Sequence, residues 1–209
     1  MANPLFDVQE LLRWQADALA AWHDGADPVP DDVVTAPGFQ GRVLRQHLHN
    51  CRLWRHEDQA RRTDVDDARI AELKRTIDRE NQKRNDAIEQ LDEDLLRMLE
   101  ERERHPPDGA PMNSETPGSM IDRLSILALK VFRMRRESER GDADEAHRER
   151  CRGKLAILER QRRDLAVCLD RVLEGLDQER LRLVVYRQFK MYNDPSLNPA
   201  LYRSSQPER

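Results

Sequence analysis

Apolar residues recur every three or four positions along most of this chain, the spacing of amphipathic α-helices. Five such runs are separated by segments rich in proline and glycine. The first spans 4–23: Pro4 suits a first turn after an Asn3 cap, and Leu5, Val8, Leu11, Leu12, Leu19 and Trp22 share much of one face. Residues 24–38, with Pro28, Pro30 and Pro37, form a loop. A second helix is predicted over 39–61 and a third over 66–104, entered through a cap at Thr63 or Asp64. At 1.5 Å per residue the third is a rod of roughly 55–60 Å. Residues 105–117 are the main interior loop, and Thr116-Pro117 marks the start of a fourth helix over 118–140. Gly141-Asp142 breaks the pattern before a fifth helix over 143–183. Its seam is Cys151, Leu155, Leu158, Arg162, Leu165, Leu169, Val172, Leu176, Glu179 and Leu183. The tail, 184–209, carries the turn signals Asp194-Pro195 and Asn198-Pro199. The expected fold is all-α: a single domain over 1–209, an elongated bundle of about five helices with a short irregular C-terminal tail.

The informative positions are those where a stripe breaks. In the third helix the apolar seam runs Ile70, Leu73, Ile77, then meets Asn81, Arg84 and Asn85 before resuming at Ile88, Leu91, Leu95 and Met98. Polar groups on a core-facing seam cost stability unless each finds a partner. In the second helix His47, Asn50, Trp54, Glu57, Asp58 and Arg61 fall on one arc beside the apolar Leu44, Leu48 and Cys51. The fourth helix is apolar nearly all round until Arg133, which predicts the most buried helix of the five. Its exceptions, Asp122, Arg123, Ser125 and Lys130, then need partners.

Composition narrows the class. Apolar residues make up 38% and charged residues 36%, with mean hydropathy −0.89, the balance of helices with charged outer faces. Eight glycines and few aromatics weigh against an all-β fold. The net charge of −4 and closely alternating signs point to solvated helix surfaces, not to a nucleic-acid face. Cys51, Cys151 and Cys168 form no C-x-x-C pair, so buried reduced thiols in a cytoplasmic protein are expected. No secretory signal and no run long enough for a membrane span are read.

Several of these segments carry a resemblance. They are His47-Leu48-His49-Asn50, the run from Leu53 through Trp54 to Arg61, Lys74-Arg75-Thr76-Ile77-Asp78 and the run from Asn81 to Glu89. Ser114-Glu115-Thr116-Pro117-Gly118-Ser119, Ile121-Asp122-Arg123-Leu124-Ser125 and Lys190-Met191-Tyr192-Asn193-Asp194-Pro195 complete the set. With them the chain resembles a bacterial family of uncharacterised proteins, domain of unknown function 4254. The resemblance implies a soluble helical protein encoded near glycosyltransferases of surface-polysaccharide synthesis. It implies no particular activity and no catalytic residue.

The candidate chemistry has four parts. His47, Asn50, Glu57 and Asp58 with Asp78, Asn85, Asp86 and Glu89 are either a solvated salt-bridged face or, if two helices bring them together, a magnesium-assisted phosphate site. Glu57, Asp58 and Asp86 are the candidate metal ligands, since magnesium needs one or two carboxylates plus substrate phosphates. A helical di-metal site lacks its Glu-x-x-His. Asn81, Gln82, Arg84 and Asn85 offer directed amides and a guanidinium suited to an anionic, hydroxyl-rich ligand, or else a network that fixes helix register. Thr116, Gly118 and Ser119 at a helix start suit an anion or plain capping, with Asp122, Arg123 and Lys130 beside them. Lys190, Tyr192, Asn193 and Asp194 are a candidate lid or a packed tail. The leading expectation is a pocket for a phosphorylated or nucleotide-linked sugar. The rivals are a non-enzymatic scaffold for a glycosyltransferase, or a homo-oligomer, joined through helical seams, and an all-helical nucleotide pyrophosphatase. The pyrophosphatase's paired Glu-x-x-Glu and Glu-x-x-Asp are not both present.

Overall fold

The computed structural model describes residues 4–22, 34–187 and 196–199. Among them it is all-α, with five helices and no strand: α1 Val8–Trp22, α2 Gly38–Ala60, α3 Asp67–Glu101, α4 Pro117–Ser138 and α5 Glu145–Asp177.

The helix starts follow the capping rules, with two corrections. α1 begins four residues later than expected, because Asp7 caps it by accepting from the Gln9 amide at 2.7 Å. Leu5 and Phe6 pack instead into the core, Phe6 lying 4.8 Å from Phe39 between ring centres. The Asn3 cap lies outside the described residues. α3 is capped by Asp66, which accepts from the Arg69 amide, while Asp64 pairs with Arg62. α4 starts as expected: Thr116 accepts from the Ser119 amide and Pro117 occupies the first turn. Asp144 caps α5.

α3 and α5 both end early, in the same way. Glu103 and Glu179 take left-handed conformations, with φ of 55° and 59°. The amides that follow fold back, Arg104 to the Leu99 carbonyl at 3.0 Å and Arg180 to the Gly175 carbonyl at 2.8 Å. These are the hydrogen bonds of a Schellman termination, here without glycine at the left-handed position. α5 therefore stops at Asp177, and Glu179 and Leu183 leave its seam. α3, at 35 residues, measures about 52 Å. Asp177 receives both Arg102 and Arg104 at 3.2 Å, tying the two ends together.

α2 and α3 form an antiparallel hairpin, as the pairs Arg42–Asp94 and His49–Glu80 show. α4 and α5 form the second hairpin, and α1 fills the angle against α4, α2 and α5. Val8, Leu11, Val43, Leu91, Leu95, Ile121, Leu124 and Leu169 have almost no exposed surface and form the main core. Each contributes about 1.5–3 kcal/mol by burial. A smaller cluster joins Leu19, Cys51, Ala128 and Leu129, with Trp22, Trp54 and Phe132 against it.

α4 touches all four other helices, yet it is not buried on every side. Arg123 and Lys130 are exposed, and Ile126, Leu127 and Met134 are only half-buried. The α5 seam is likewise spent unevenly. Cys151, Leu165, Leu169, Val172 and Leu176 are buried, whereas Leu155 and Leu158 are half-covered. Arg162 reaches across to the Leu12 carbonyl at 2.9 Å and so fastens α5 to α1. Cys51 and Cys151 are buried as expected, but Cys168 is exposed. Burial pushes the Cys51 thiol up to about 12, so it is inert at neutral pH. Among the described residues no helix is long and apolar enough to cross a membrane.

Candidate functional site

The break in the α3 stripe faces α2 and α4. Successive contacts run in the same sense along α2 and α4, Gln46 to Asp122, Asn50 to Ser125 and Asp58 to Arg133. The two helices are therefore parallel, and the polar arc of α2 lies along one side of α4.

Asp122 is the centre of this layer. Its Oδ1 accepts from Gln46 Nε2 at 2.5 Å and from Asn50 Nδ2 at 2.9 Å, and Arg84 Nε lies 3.6 Å away. Asn50 Nδ2 also donates to Ser125 Oγ at 2.9 Å, and His47 Nδ1 lies 2.6 Å from the same oxygen. Gln46, His47 and Ser125 have no exposed surface, and Asn50 and Asp122 very little. Burial pushes the Asp122 carboxyl up, while the Arg84 charge and the Asn50 amide pull it back down. Burial, with the nearby Arg162 charge, holds His47 down to about 3, so its imidazole is neutral at any ordinary pH. It does not reach the surface and cannot exchange protons with a ligand there.

Above this layer the α2, α3 and α4 surfaces part into a cleft of about 460 Å³. Asn50, Trp54, Glu57, Asp58, Asn81 and Arg84 line it, with Leu53, Arg61, Ile126 and Leu129. Arg84 Nε is buried over Asp122 and makes no hydrogen bond among the described residues, while the Arg84 side chain as a whole is partly exposed. Asn81 makes no side-chain hydrogen bond among them either. Trp54 supplies a half-buried apolar wall. Glu57 is held by Arg61 at 2.8 Å, and Asp58 lies 3.7 Å from Arg133. The volume sits within the range of small-molecule sites. The groups offered are those that recognise phosphate, hydroxyls and a flat ring face.

The remaining candidates are placed elsewhere. Asn85 is buried and does not line the cleft. Gln82 and Asp86 bond to each other at 2.6 Å on the exposed side of α3, and Asp78 pairs with Lys74. Asp86 thus stands apart from Glu57 and Asp58. Among the described residues no three His, Cys, Asp or Glu side chains gather as a metal cage. Arg123 pairs with Glu115, and Lys130 lines the neighbouring groove between α4 and α5 instead of the cleft. Lys190, Tyr192, Asn193 and Asp194 lie outside the described residues.

The start of α4 is already occupied. Asp92 of α3 accepts from the Gly118 amide at 2.7 Å, so a carboxylate of the chain fills the place an anionic ligand would take. A Cβ on Gly118 would stand 2.7 Å from the Ile88 carbonyl oxygen. The glycine therefore admits a neighbouring helix. Burial pushes Asp92 up to about 6, against the pull of Thr116 and the Gly118 amide; the charge of half-buried Glu89 adds to the rise. Ser119 is engaged with Thr116.

Sequence reasoning missed several partners. Gln46 shares the α2 face with Asn50 four residues on, a spacing that marks it as a companion. Asp92 continues the polar seam seven residues beyond Asn85. His49 and Glu80 form a buried pair at 2.9 Å. Burial would raise the Glu80 carboxyl, but His49 and Lys83 outweigh it and hold it at about 2.

The chain belongs to the family described as protein of unknown function, DUF4254, whose family model spans residues 40–185. That span runs from α2 through α5 and contains every residue of the cleft. Neither the curated proteins nor the solved structures contain a match to this chain.

Proposed function

We propose that this member of the family binds a phosphorylated or nucleotide-linked sugar in the cleft between α2, α3 and α4. One observation carries the reading. The partly exposed Arg84 side chain, steadied from below by Asp122, and the unbonded Asn81 side-chain amide line the same cleft as the Trp54 wall. In this reading Arg84 takes the phosphate, since its guanidinium matches phosphate oxygens in pairs. Trp54 lies against the sugar or base, and Asn81 and Glu57 bond hydroxyls. Asp122, held by Gln46 and Asn50, anchors Arg84 from below without being spent on the ligand. Magnesium in this scheme arrives with the phosphate and needs one or two carboxylates, for which Glu57 and Asp58 are at hand. The reading is of binding, and it assigns no reaction.

The test is thermal-shift and calorimetric titration of the full chain with sugar phosphates and nucleotide sugars, with and without magnesium. Saturating ligand raises the melting temperature, because it binds only the folded state. Arg84→Met and Trp54→Ala remove the response and leave a folded protein. A panel without any shift, or an Arg84→Met protein that responds like the parent, overturns the reading.

The scaffold reading for a glycosyltransferase is favoured by a separate observation, the open apolar side of α4 and α5.

A further inference from the structure

α4 is apolar nearly all round, yet the bundle covers only part of it. On its outer side Ile126, Leu127 and Met134 stay half-buried, at the spacing of one helical stripe. α5 runs beside it with Ile157 59% exposed. Between them lies a groove of about 450 Å³, floored by Trp54, Met134, Ile157 and Leu158. A neighbouring hollow continues it along the same two helices past Ile126 and Leu127. Apolar positions that repeat along two parallel ridges are what a helix needs in order to dock.

The rim narrows the occupant. Lys130, Arg133 and Lys154 stand around the groove, with Glu137 as its acidic member. Glu137 is engaged by Arg140 and His147, and Arg133 faces Asp58. Lys130 and Lys154 are exposed and make no ion pair among the described residues. The groove is therefore cationic on a chain whose net charge is −4. A second copy docked two-fold on this face would set two cationic rims against each other, and such like-charge contacts are disfavoured. An apolar face flanked by carboxylates matches both floor and rim.

We propose that the α4–α5 groove is the docking site for an acidic amphipathic helix of a partner protein. The contact would run about four turns, from the level of Arg123 to that of Glu137, some 14 residues or about 21 Å. It is independent of the ligand assigned to the cleft, although Trp54 lines both hollows.

Two labelled synthetic helices test it by fluorescence anisotropy against the full chain. Both carry the same Leu/Ile face; one has Glu on its polar face, the other Lys. The Glu helix binds, and binding weakens as salt rises. Lys130→Glu with Lys154→Glu weakens it at least tenfold, and Ile157→Asp abolishes it. All three positions are exposed, so circular dichroism and melting temperature stay at parental values. The proposal falls if neither helix binds, if both bind alike, or if the double charge reversal leaves the affinity unchanged. It falls equally if sedimentation shows a dimer of the parent that Ile157→Asp converts to monomer, for then a second copy covers the face.

Discussion

The layer around Asp122 and the cleft above it are built from the same residue types on the same three helices, yet they differ in how far solvent reaches them. In the layer, Gln46 and Asn50 donate to one carboxylate and His47 meets Ser125, while Gln46 Oε1 and His47 Nε2 are sealed in without a hydrogen bond among the described residues. In the cleft, about one turn away, the half-buried Asn81 side chain makes no hydrogen bond among the described residues, and the Arg84 side chain is partly exposed above its ion pair with Asp122. A buried polar group left without a partner costs roughly 1–3 kcal/mol, so a chain can carry such groups cheaply only where water or a ligand reaches them. The layer holds the helices together. The cleft is where the same chemistry is left open.

The comparison is broken most forcefully at its centre. Asp122→Ala strips Gln46 and Asn50 of their shared acceptor and Arg84 of its counter-charge in a buried site, and the expected loss is about 3 kcal/mol or more in urea unfolding. Gly118→Ala comes next. The added Cβ meets backbone, the Ile88 carbonyl oxygen, which cannot swing aside as a side chain does. Separating α3 from α4 also lengthens the Asp92 bond to the Gly118 amide, and a loss of about 2 kcal/mol is expected. If Gly118→Ala is neutral, the close approach of the two helices is not what places the layer.

Acid titration separates two groups of opposite sign. His47 titrates near 6.5 when unfolded but only at about 3 when folded, so between those values the unfolded chain binds more protons. Its contribution is intact above 6.5 and is lost as pH falls towards 3. From pH 7 to pH 5 the loss is about 2 kcal/mol. Asp92 runs the other way. Its folded carboxyl sits at about 6 against 3.8 unfolded, so its burial penalty stands at neutral pH and is relieved as pH falls through 6. The relief over the same interval is about 1 kcal/mol. Glu80, held at about 2, loses its share only below 4.5 and leaves this window alone. Urea midpoints at pH 7 and pH 5 check the signs: Asp92→Asn steepens the acid loss, and His47→Asn flattens it. The opposite pattern would show that His47 is hydrated.

Much of this arrangement was legible in the chain, because periodicity and capping are local. The five helices, Thr116-Pro117 as a helix start, and the polar interruptions at Asn50, Arg84 and Asp122 follow from spacing alone. What was not legible depends on which helix lies opposite. Asn81 and Asn85 occupy one stripe, and only the placement of α2 and α4 leaves Asn81 at the cleft and buries Asn85 behind it. Gly118 reads equally as an anion cradle or a helix contact until Asp92, 26 residues away, is seen to fill it. α4 reads as buried all round because its composition does not reveal that the bundle lacks a helix on one side. The early ends of α3 and α5 were missed for a simpler reason: both use glutamate where a left-handed turn favours glycine.

The finest test uses one substitution at two asparagines. Asn50→Leu and Asn81→Leu remove the same amide and add the same apolar branch. Asn50 is almost wholly buried and bonded to Asp122 and Ser125, so its loss removes one donor from each of two buried acceptors and is expected to cost about 2 kcal/mol. The Asn81 side chain makes no hydrogen bond among the described residues and lies partly open to the cleft. Its replacement is expected to move stability by less than about 0.5 kcal/mol, as at ordinary surface positions. If the cleft holds a sugar phosphate, Asn81→Leu nevertheless weakens that ligand about tenfold, the worth of one hydrogen bond to a polar group. Stability unchanged and affinity lost is the signature of a residue kept for binding. Should Asn81→Leu instead destabilise the fold as much as Asn50→Leu, the cleft is part of the same structural layer, and Asn81 belongs to the packing of α3 against α2.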